Sequence, residues 1–327
     1  MKNERGFALM VVMLVMTLLG IIVTELAMSM RLEASMVRSY KDVTIATHLA
    51  EAAVQQAMRE ILGPGRPPGS DPIGLDEDGT LSFYRNVGVG TSVLVKQTRL
   101  PRQRVALGAG EFSYRISDEQ ARLNLNTAAP PLMDRLLTAI GLDKEARDII
   151  NDSLQDWRDP NDLTRINGAE SEDFYLKLPV PYRARNGALQ DAAELLQIRG
   201  VTREIYRGEK DHPALADLVT VVGGSTTVNM NTAPAPVLEA LGLSDAEVTE
   251  ITQTRTKTPY TSATAGRFVR AGIGYVSATF RIEAEGLIAG EPRARIVAIV
   301  QRRTGRQAGG AASPLGVVML SWRLAEP

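Results

Sequence analysis

No cysteine occurs anywhere in the 327 residues, which excludes a disulfide framework, a zinc–thiolate centre and a thiol nucleophile. Histidine is nearly as scarce. Of the two, His48 falls in a helical stretch and His212 stands before Pro213 in a charged loop, and no serine sits in a recognisable nucleophile motif. Paired carboxylates of the kind a glycosidase uses occur in one acidic loop, but nothing in the sequence gathers them into a pocket, so the chain is read as a non-enzyme. Net charge is missing too: 37 basic against 38 acidic residues leave −1, which gives no broad attraction to nucleic acid or to acidic substrates. Proline and glycine are both absent from residues 25–62.

What is there begins with an uncharged run, FALMVVMLVMTLLGIIVT, at residues 7–24. Its length is close to the ~20 residues a helix needs to cross a bilayer. Lys2 and Arg5 precede it, so the positive-inside bias predicts a cytoplasmic N-terminus with everything downstream exported. A cleaved secretory signal is the competing reading, but its apolar stretch is usually ~7–15 residues, and Ile22–Met28 offers only a poor exit site.

A second boundary lies ahead of the run. Arg5-Gly6-Phe7 resembles the type IV prepilin processing motif, which implies cutting between Gly6 and Phe7 by a prepilin peptidase and methylation of the new N-terminus. Most pilin-like subunits carry Glu at the fifth residue of the mature chain; here that place is Val11. In those subunits the carboxylate pairs with a neighbour's amino terminus, because an unpaired charge in apolar surroundings is costly. A subunit with Val11 is therefore expected to receive no follower above it.

Residues 25–62 are rich in Ala, Met, Leu, Glu, Gln and Arg, which favour helix. Leu49, Ala50, Ala53, Val54, Ala57 and Ile61 mark one apolar face, with Glu51, Gln55, Arg59 and Glu60 assigned to the opposite one. One rod over 7–62 would be roughly 80 Å long, its second half packed on a sheet. The Gly/Pro-rich residues 63–72 end it. Partly alternating apolar residues predict strands at 81–87, 91–100 and 111–117, which are expected to build that sheet, and again at 278–285, 295–301 and 317–324, with a turn over 286–292 and a Gly/Ala/Ser segment at 305–313.

Between these strand regions the chain reads as helical from about Asp118 to Gly274. It contains an internal echo: Leu123-Asn124-Leu125-Asn126-Thr127-Ala128-Ala129-Pro130 against Val228-Asn229-Met230-Asn231-Thr232-Ala233-Pro234. Each copy leads through an apolar helix to Gly-Leu, at 141–142 and 242–243, and then to a capping residue, Asp143 or Ser244, with Glu close behind. Two such hairpins suggest a repeat, and residues 195–202 read as a further hairpin turn. The hairpins resemble helix-hairpin-helix modules, some of which bind DNA, but acidic residues at the turns repel phosphate.

The most chemically loaded stretch lies between the copies: Asp156-Trp157-Arg158-Asp159-Pro160-Asn161-Asp162, then Asn167-Gly168-Ala169-Glu170-Ser171-Glu172-Asp173-Phe174-Tyr175. Carboxylates and an amide around Pro and Gly can turn oxygens toward one hard cation, and can equally form a solvated loop of Asx turns. The spacing is not that of an EF-hand.

The Gly-Phe start, Val11, the rod, the divided sheet, the paired Asn-Thr-Ala hairpins and the acidic loop, in this order, resemble the K-type minor pseudopilins of type II secretion systems over essentially the whole chain. The resemblance implies an α+β, type IV pilin-like fold: a long N-terminal transmembrane helix on an antiparallel sheet, with a large inserted all-α, helix-hairpin-helix or SAM-like domain. It divides the chain into a leader (1–6), the helix (7–62), the first part of the sheet domain (63–122), the insertion (123–275) and the completing strands (276–327). It implies calcium at the acidic loop, with Asp159, Asn161, Glu170 and Asp173 as ligands and Asp156 and Asp162 as lesser candidates. It also implies a single-pass inner-membrane protein with periplasmic domains, at the tip of the pseudopilus. Its partners would be I- and J-type minor pseudopilins, with the H type as a further one, together with the prepilin peptidase and the inner-membrane platform that exports folded proteins. The rival reading is a minor pilin of a type IV pilus or DNA-uptake filament that binds DNA through its hairpins.

Overall fold

The computed structural model describes residues 4–63, 71–87, 93–209, 212–303 and 316–325, with side chains from Phe7 onward. The leader's side chains, most of the 63–72 loop, the first two residues of the strand expected at 91–100 and the 305–313 segment lie outside the described residues. Helix α1 runs from Glu4 to Leu62 without a break, about 90 Å at ~1.5 Å per residue. Its first part is long and apolar enough to cross a membrane, and from Phe7 to Val43 its large apolar side chains are exposed.

From Ala46 onward α1 changes partner. Ala46, Leu49, Ala50, Ala53, Val54, Ala57 and Ile61 are all buried, each large side chain adding ~1.5–3 kcal/mol by leaving water. They pack on an antiparallel sheet whose strands are β4 (Val105–Leu107), β5 (Gly110–Asp118), β10 (Thr279–Ile288), β11 (Glu291–Arg303) and β12 (Gly316–Ala325), in the order β12-β11-β10-β5-β4. Alanine at the crossing points lets the helix sit close. A Cβ on Gly286 would come within 2.6 Å of the Ala46 carbonyl carbon, and the β10–β11 register shifts at this residue. The hairpin turn is Ala289-Gly290, both at positive φ, the backbone a two-residue β-turn demands. It is therefore far tighter than the loop expected over 286–292.

Strands β1 (Ile73–Leu75), β2 (Leu81–Val87) and β3 (Val93–Lys96) form a separate three-stranded sheet. This corrects the expectation that residues 81–87 and 91–100 join the sheet beneath the rod; of the three early segments only 111–117 does. The small sheet covers the end of α1 with Ile73, Leu81 and Phe83. Glu60 was assigned to the solvent face and is buried instead. Arg102 reaches it through Nη2 at 2.7 Å and Nε at 3.1 Å, and the Tyr114 hydroxyl donates to it at 2.9 Å.

The second lobe hangs between neighbouring strands, since the chain leaves β5 at Asp118 and returns at β10, where Phe280 pairs with Asp118. It has its own core, from Leu123 to Ile273. Its helices are α2 (Pro130–Ala139), α3 (Lys144–Arg158), α4 (Arg203–Arg207), α5 (Leu215–Leu218), α6 (Ala235–Ala240) and α7 (Asp245–Arg255). It is not all-α: β6 (Leu123–Asn124) pairs in parallel with β7 (Val219–Thr220), and β8 (Val228–Asn229) with β9 (Ile273–Gly274). The hairpin turn expected at 195–202 is the end of a short 3₁₀ turn, Ala192–Gln197, leading into α4. Residues 159–174 have no regular structure.

Two consecutive buried carboxylates join the lobes. Asp118 accepts from the Thr232 and Ser277 hydroxyls at 2.5 and 2.7 Å, the Asn229 amide at 3.2 Å and the Gln120 N–H at 2.9 Å. Burial nevertheless pushes its carboxyl up to about 6. Glu119 accepts from Arg281 Nη2 and Nε, at 2.8 and 2.9 Å. Burial alone would raise its pKa, but Arg281 and then Arg122 bring it below the ordinary value.

Candidate functional site

The acidic loop starts where α3 stops. Asp143 caps the helix by accepting from the Ala146 N–H at 2.9 Å, and the backbone turns extended at Asp159, ahead of Pro160. The last turns of α3 carry Asp152, Asp156 and Trp157. Trp157 is buried edge-on against Tyr175 at 5.3 Å, which ties the far end of the loop back to the helix.

Asp156 and Glu170 lie inside this closure, at 0% and 2% exposure. Asp156 Oδ2 accepts from the Arg165 N–H at 3.1 Å, while its Oδ1 and both carboxylate oxygens of Glu170 have no hydrogen-bond partner. Gly168 makes room for Asp156, since a Cβ there would come 2.8 Å from Asp156 Cγ. Burial raises both carboxyls; that of Glu170 reaches about 7, with the charges of Asp156, Asp159 and Asp162 adding to the effect. An unpartnered buried carboxylate is expensive, so this pocket has the chemistry of a cation site.

The other candidates form a rim and are tied locally. Asp159 accepts from the Asn161 amide at 2.8 Å, and the Asn161 oxygen accepts from the Leu163 N–H at 2.8 Å. Asp162 accepts from Asn186 at 2.8 Å. Asp173 accepts from the Glu170 N–H at 2.9 Å and from Thr164 at 3.0 Å. Among the described residues no three His, Asp or Glu side chains are arranged as a ready-made metal cage. Two neighbours were not singled out from sequence. Asp152, one turn before Asp156, accepts from Asn167 twice at 3.1 Å, and its i, i+4 spacing would have revealed it. Arg199 donates to the Gly168 carbonyl at 2.9 Å and lies over Phe174, a contact without any local signal.

The glycine and leucine amides of the hairpin turns are bonded within the protein. In the first, Gly141 N–H donates to Thr138 at 2.9 Å and Leu142 N–H to Leu137 at 3.1 Å; in the second, Gly242 N–H donates to Glu239 at 2.8 Å and Leu243 N–H to Leu238 at 3.3 Å. Both glycines have φ near +86°, at 87° and 85°, the left-handed stop that ends a helix with this bonding. Their amides are engaged by the helices they terminate. On α1, Phe7 and Val11 are exposed, by 70% and 42%.

Comparison with known proteins agrees with this architecture. Models of type II secretion system (T2SS), protein K match residues 114–222 and 228–266. The type II secretion system protein K of Pectobacterium carotovorum subsp. carotovorum is 28% identical over 163 residues, 44% of this chain and 48% of that one. That of Pseudomonas aeruginosa is 32% identical over 142 residues, 40% of each chain. A putative protein K of Escherichia coli K12 is 25% identical over 228 residues, 63% of this chain and 61% of that one. The chain thus spans about half the length of the curated relatives it matches. Its fold is shared, at a TM-score of 0.59 and 16% identity, with a solved chain from the GspK-GspI-GspJ complex of the enterotoxigenic Escherichia coli type 2 secretion system, covering 90% of this chain and all of that one. Over residues 114–222 and 228–266 the chain thus matches the type II secretion system protein K family.

Proposed function

We propose that this chain is a minor pseudopilin at the tip of the type II secretion pseudopilus, a mechanical rather than catalytic part of the export of folded proteins. The first part of α1 anchors it in the inner membrane with the N-terminus cytoplasmic and both lobes periplasmic. Prepilin peptidase trims it between Gly6 and Phe7, and the new N-terminus is methylated. Its partners are I- and J-type minor pseudopilins, as in the solved GspK-GspI-GspJ complex, with the H type and the inner-membrane platform beyond them. The observation that carries the reading is Val11 on an exposed helix face: an apolar side chain there offers no charge to the amino terminus of a subunit placed above. A bulky second lobe also fits the end of a thin fibre better than its shaft.

The experiment replaces Gly6 with a bulky residue, replaces Val11 with Glu, and follows secretion, processing and co-purification with candidate I- and J-type subunits. Only the Gly6 variant blocks trimming. The wild-type chain forms a ternary complex, and its loss stops protein secretion while sparing twitching and DNA uptake. A Gly6 variant trimmed and assembled like wild type overturns the reading.

Calcium at the acidic loop is part of the same proposal, supported by the unpartnered carboxylate oxygens of Glu170 and Asp156. Those two residues, with Asp159, Asn161, Asp162 and Asp173 at the rim, would hold it. It would supply positive charge to the Glu170 oxygens, which accept no hydrogen bond, and hard oxygens are what it prefers. Chelation is then expected to lower the melting temperature and added calcium to restore it, with Glu170→Gln insensitive to both.

A further inference from the structure

We propose that Arg165 competes with a divalent cation for the carboxylates of this pocket, and so sets the concentration at which the pocket loads; the inference rests on the cation reading above. Arg165 Nε stands 3.3 Å from Asp156 Oδ1, and Nη2 donates to Asp159 Oδ2 at 3.4 Å. One guanidinium therefore bridges two carboxylates that belong to the candidate ligand set.

Both approaches are long for a charge-assisted bond, which runs ~2.7–2.9 Å, and the one to Asp156 Oδ1 is not aligned as a hydrogen bond. Two arginines in buried ion pairs of this molecule behave differently. Arg281 holds Glu119 at 2.8 and 2.9 Å, and Arg102 holds Glu60 at 2.7 Å, with the arginine side chains only 20% and 6% exposed. The Arg165 side chain is 48% exposed, so its head group can return to water without crossing packed protein.

Its positive charge is also insufficient. A single charge faces Asp156 and Asp159 while Glu170 keeps two buried oxygens without a partner. A dication brings twice the charge and accepts six to eight oxygens. It can engage Asp156 and Asp159 only if the guanidinium moves off them, so the two cations exclude each other. The backbone of the loop does not depend on the guanidinium: the Arg165 N–H bond to Asp156 and the Gly168 N–H bond to the Arg165 carbonyl, at 3.1 Å each, persist whatever the side chain.

The test uses the full chain in detergent micelles, freed of metal with EDTA. Calcium binding is measured by calorimetry and terbium binding by luminescence, for wild type, Arg165→Gln, Arg165→Lys and Glu170→Gln. Arg165→Gln is expected to bind calcium about tenfold more tightly, equivalent to ~1.4 kcal/mol. Arg165→Lys, which keeps the charge, stays near wild type, and Glu170→Gln loses binding. Cooperative melting in saturating calcium verifies that each variant is folded. If Arg165→Gln binds as wild type does, or more weakly, or if Arg165→Lys tightens as much as Arg165→Gln, competition by charge is overturned while the cation reading stands. If neither wild type nor Arg165→Gln binds calcium or terbium, the cation reading falls and this inference with it.

Discussion

Asn126 and Asn231 hold the two halves of the insertion in the same way. The Asn126 amide donates to the carbonyls of Leu189 and Val221, at 2.9 and 3.1 Å, and its oxygen accepts from the Leu189 N–H at 2.8 Å. The Asn231 amide donates to Tyr260 and Tyr275, at 3.0 Å each, and its oxygen accepts from the Tyr260 N–H at 2.7 Å. In each copy one asparagine therefore staples its own turn to two later segments. A matching arginine closes each unit from the second helix, Arg158 onto the carbonyls of Leu125 and Ala128, and Arg255 onto those of Met230 and Ala233. The echo in the sequence is a repeated device for tying loops to a hairpin.

Truncating these asparagines should not cost equally. Asn231 is fully buried, whereas Asn126 is only partly so. Asn231→Ala strands backbone groups of Tyr260 and Tyr275 inside the core, at ~1–3 kcal/mol for each group left unsatisfied. Water can replace part of what Asn126→Ala removes. Thermal or urea unfolding of the full chain in detergent is expected to show the larger loss for Asn231→Ala.

Gly286→Ala tests the docking of the rod. Its added methyl meets the Ala46 carbonyl carbon at 2.6 Å, and neither backbone can yield without shifting helix or sheet. Overpacking of this kind costs ~1–3 kcal/mol, sometimes more. Limited proteolysis should then cut α1 between residues 46 and 62, which wild type protects, while the hairpin lobe stays resistant.

The rod, the late strands and the repeat were legible because periodicity reports burial directly, as in the three- and four-residue steps among Leu49, Ala50, Ala53, Val54, Ala57 and Ile61. Glu60 was misread because its partner Arg102 is 42 residues away, and no local pattern announces a buried ion pair. The separate β1–β2–β3 sheet was missed for a related reason: strand character says nothing of which strands pair. At the acidic loop the sequence marked the candidate residues only as a group. It did not distinguish Asp156 and Glu170, buried and with three carboxylate oxygens that accept no hydrogen bond, from the rim, because burial there is imposed by Trp157 and Tyr175 closing the loop.

Removing Arg102 should do more damage than removing the whole network. Arg102→Met leaves the Glu60 carboxylate, 6% exposed, with only the Tyr114 hydroxyl. Breaking one side of a buried pair costs ~3–5 kcal/mol. Combining it with Glu60→Met removes the stranded charge, and the double variant is expected to recover a large part of the loss in equilibrium unfolding.

Asp118 gives the fold a dependence on pH with a definite sign. Its folded carboxyl is raised by burial to about 6 from an ordinary 3.8. Below the lower value the group is protonated in both states and adds no difference. Between the two the unfolded chain ionises first, so stability falls as pH rises, and above the folded value the full penalty, up to about 3 kcal/mol, is in place. Other groups titrate in the same window: Glu170 and Asp156 act in the same direction, and Glu119 and Glu194 in the opposite one. The measurement is therefore a difference. Asp118→Asn cannot ionise, so its unfolding free energy minus that of wild type should rise between pH 4 and pH 7. A difference that stays flat would mean that the Thr232, Ser277 and Asn229 bonds already keep Asp118 ionised at low pH.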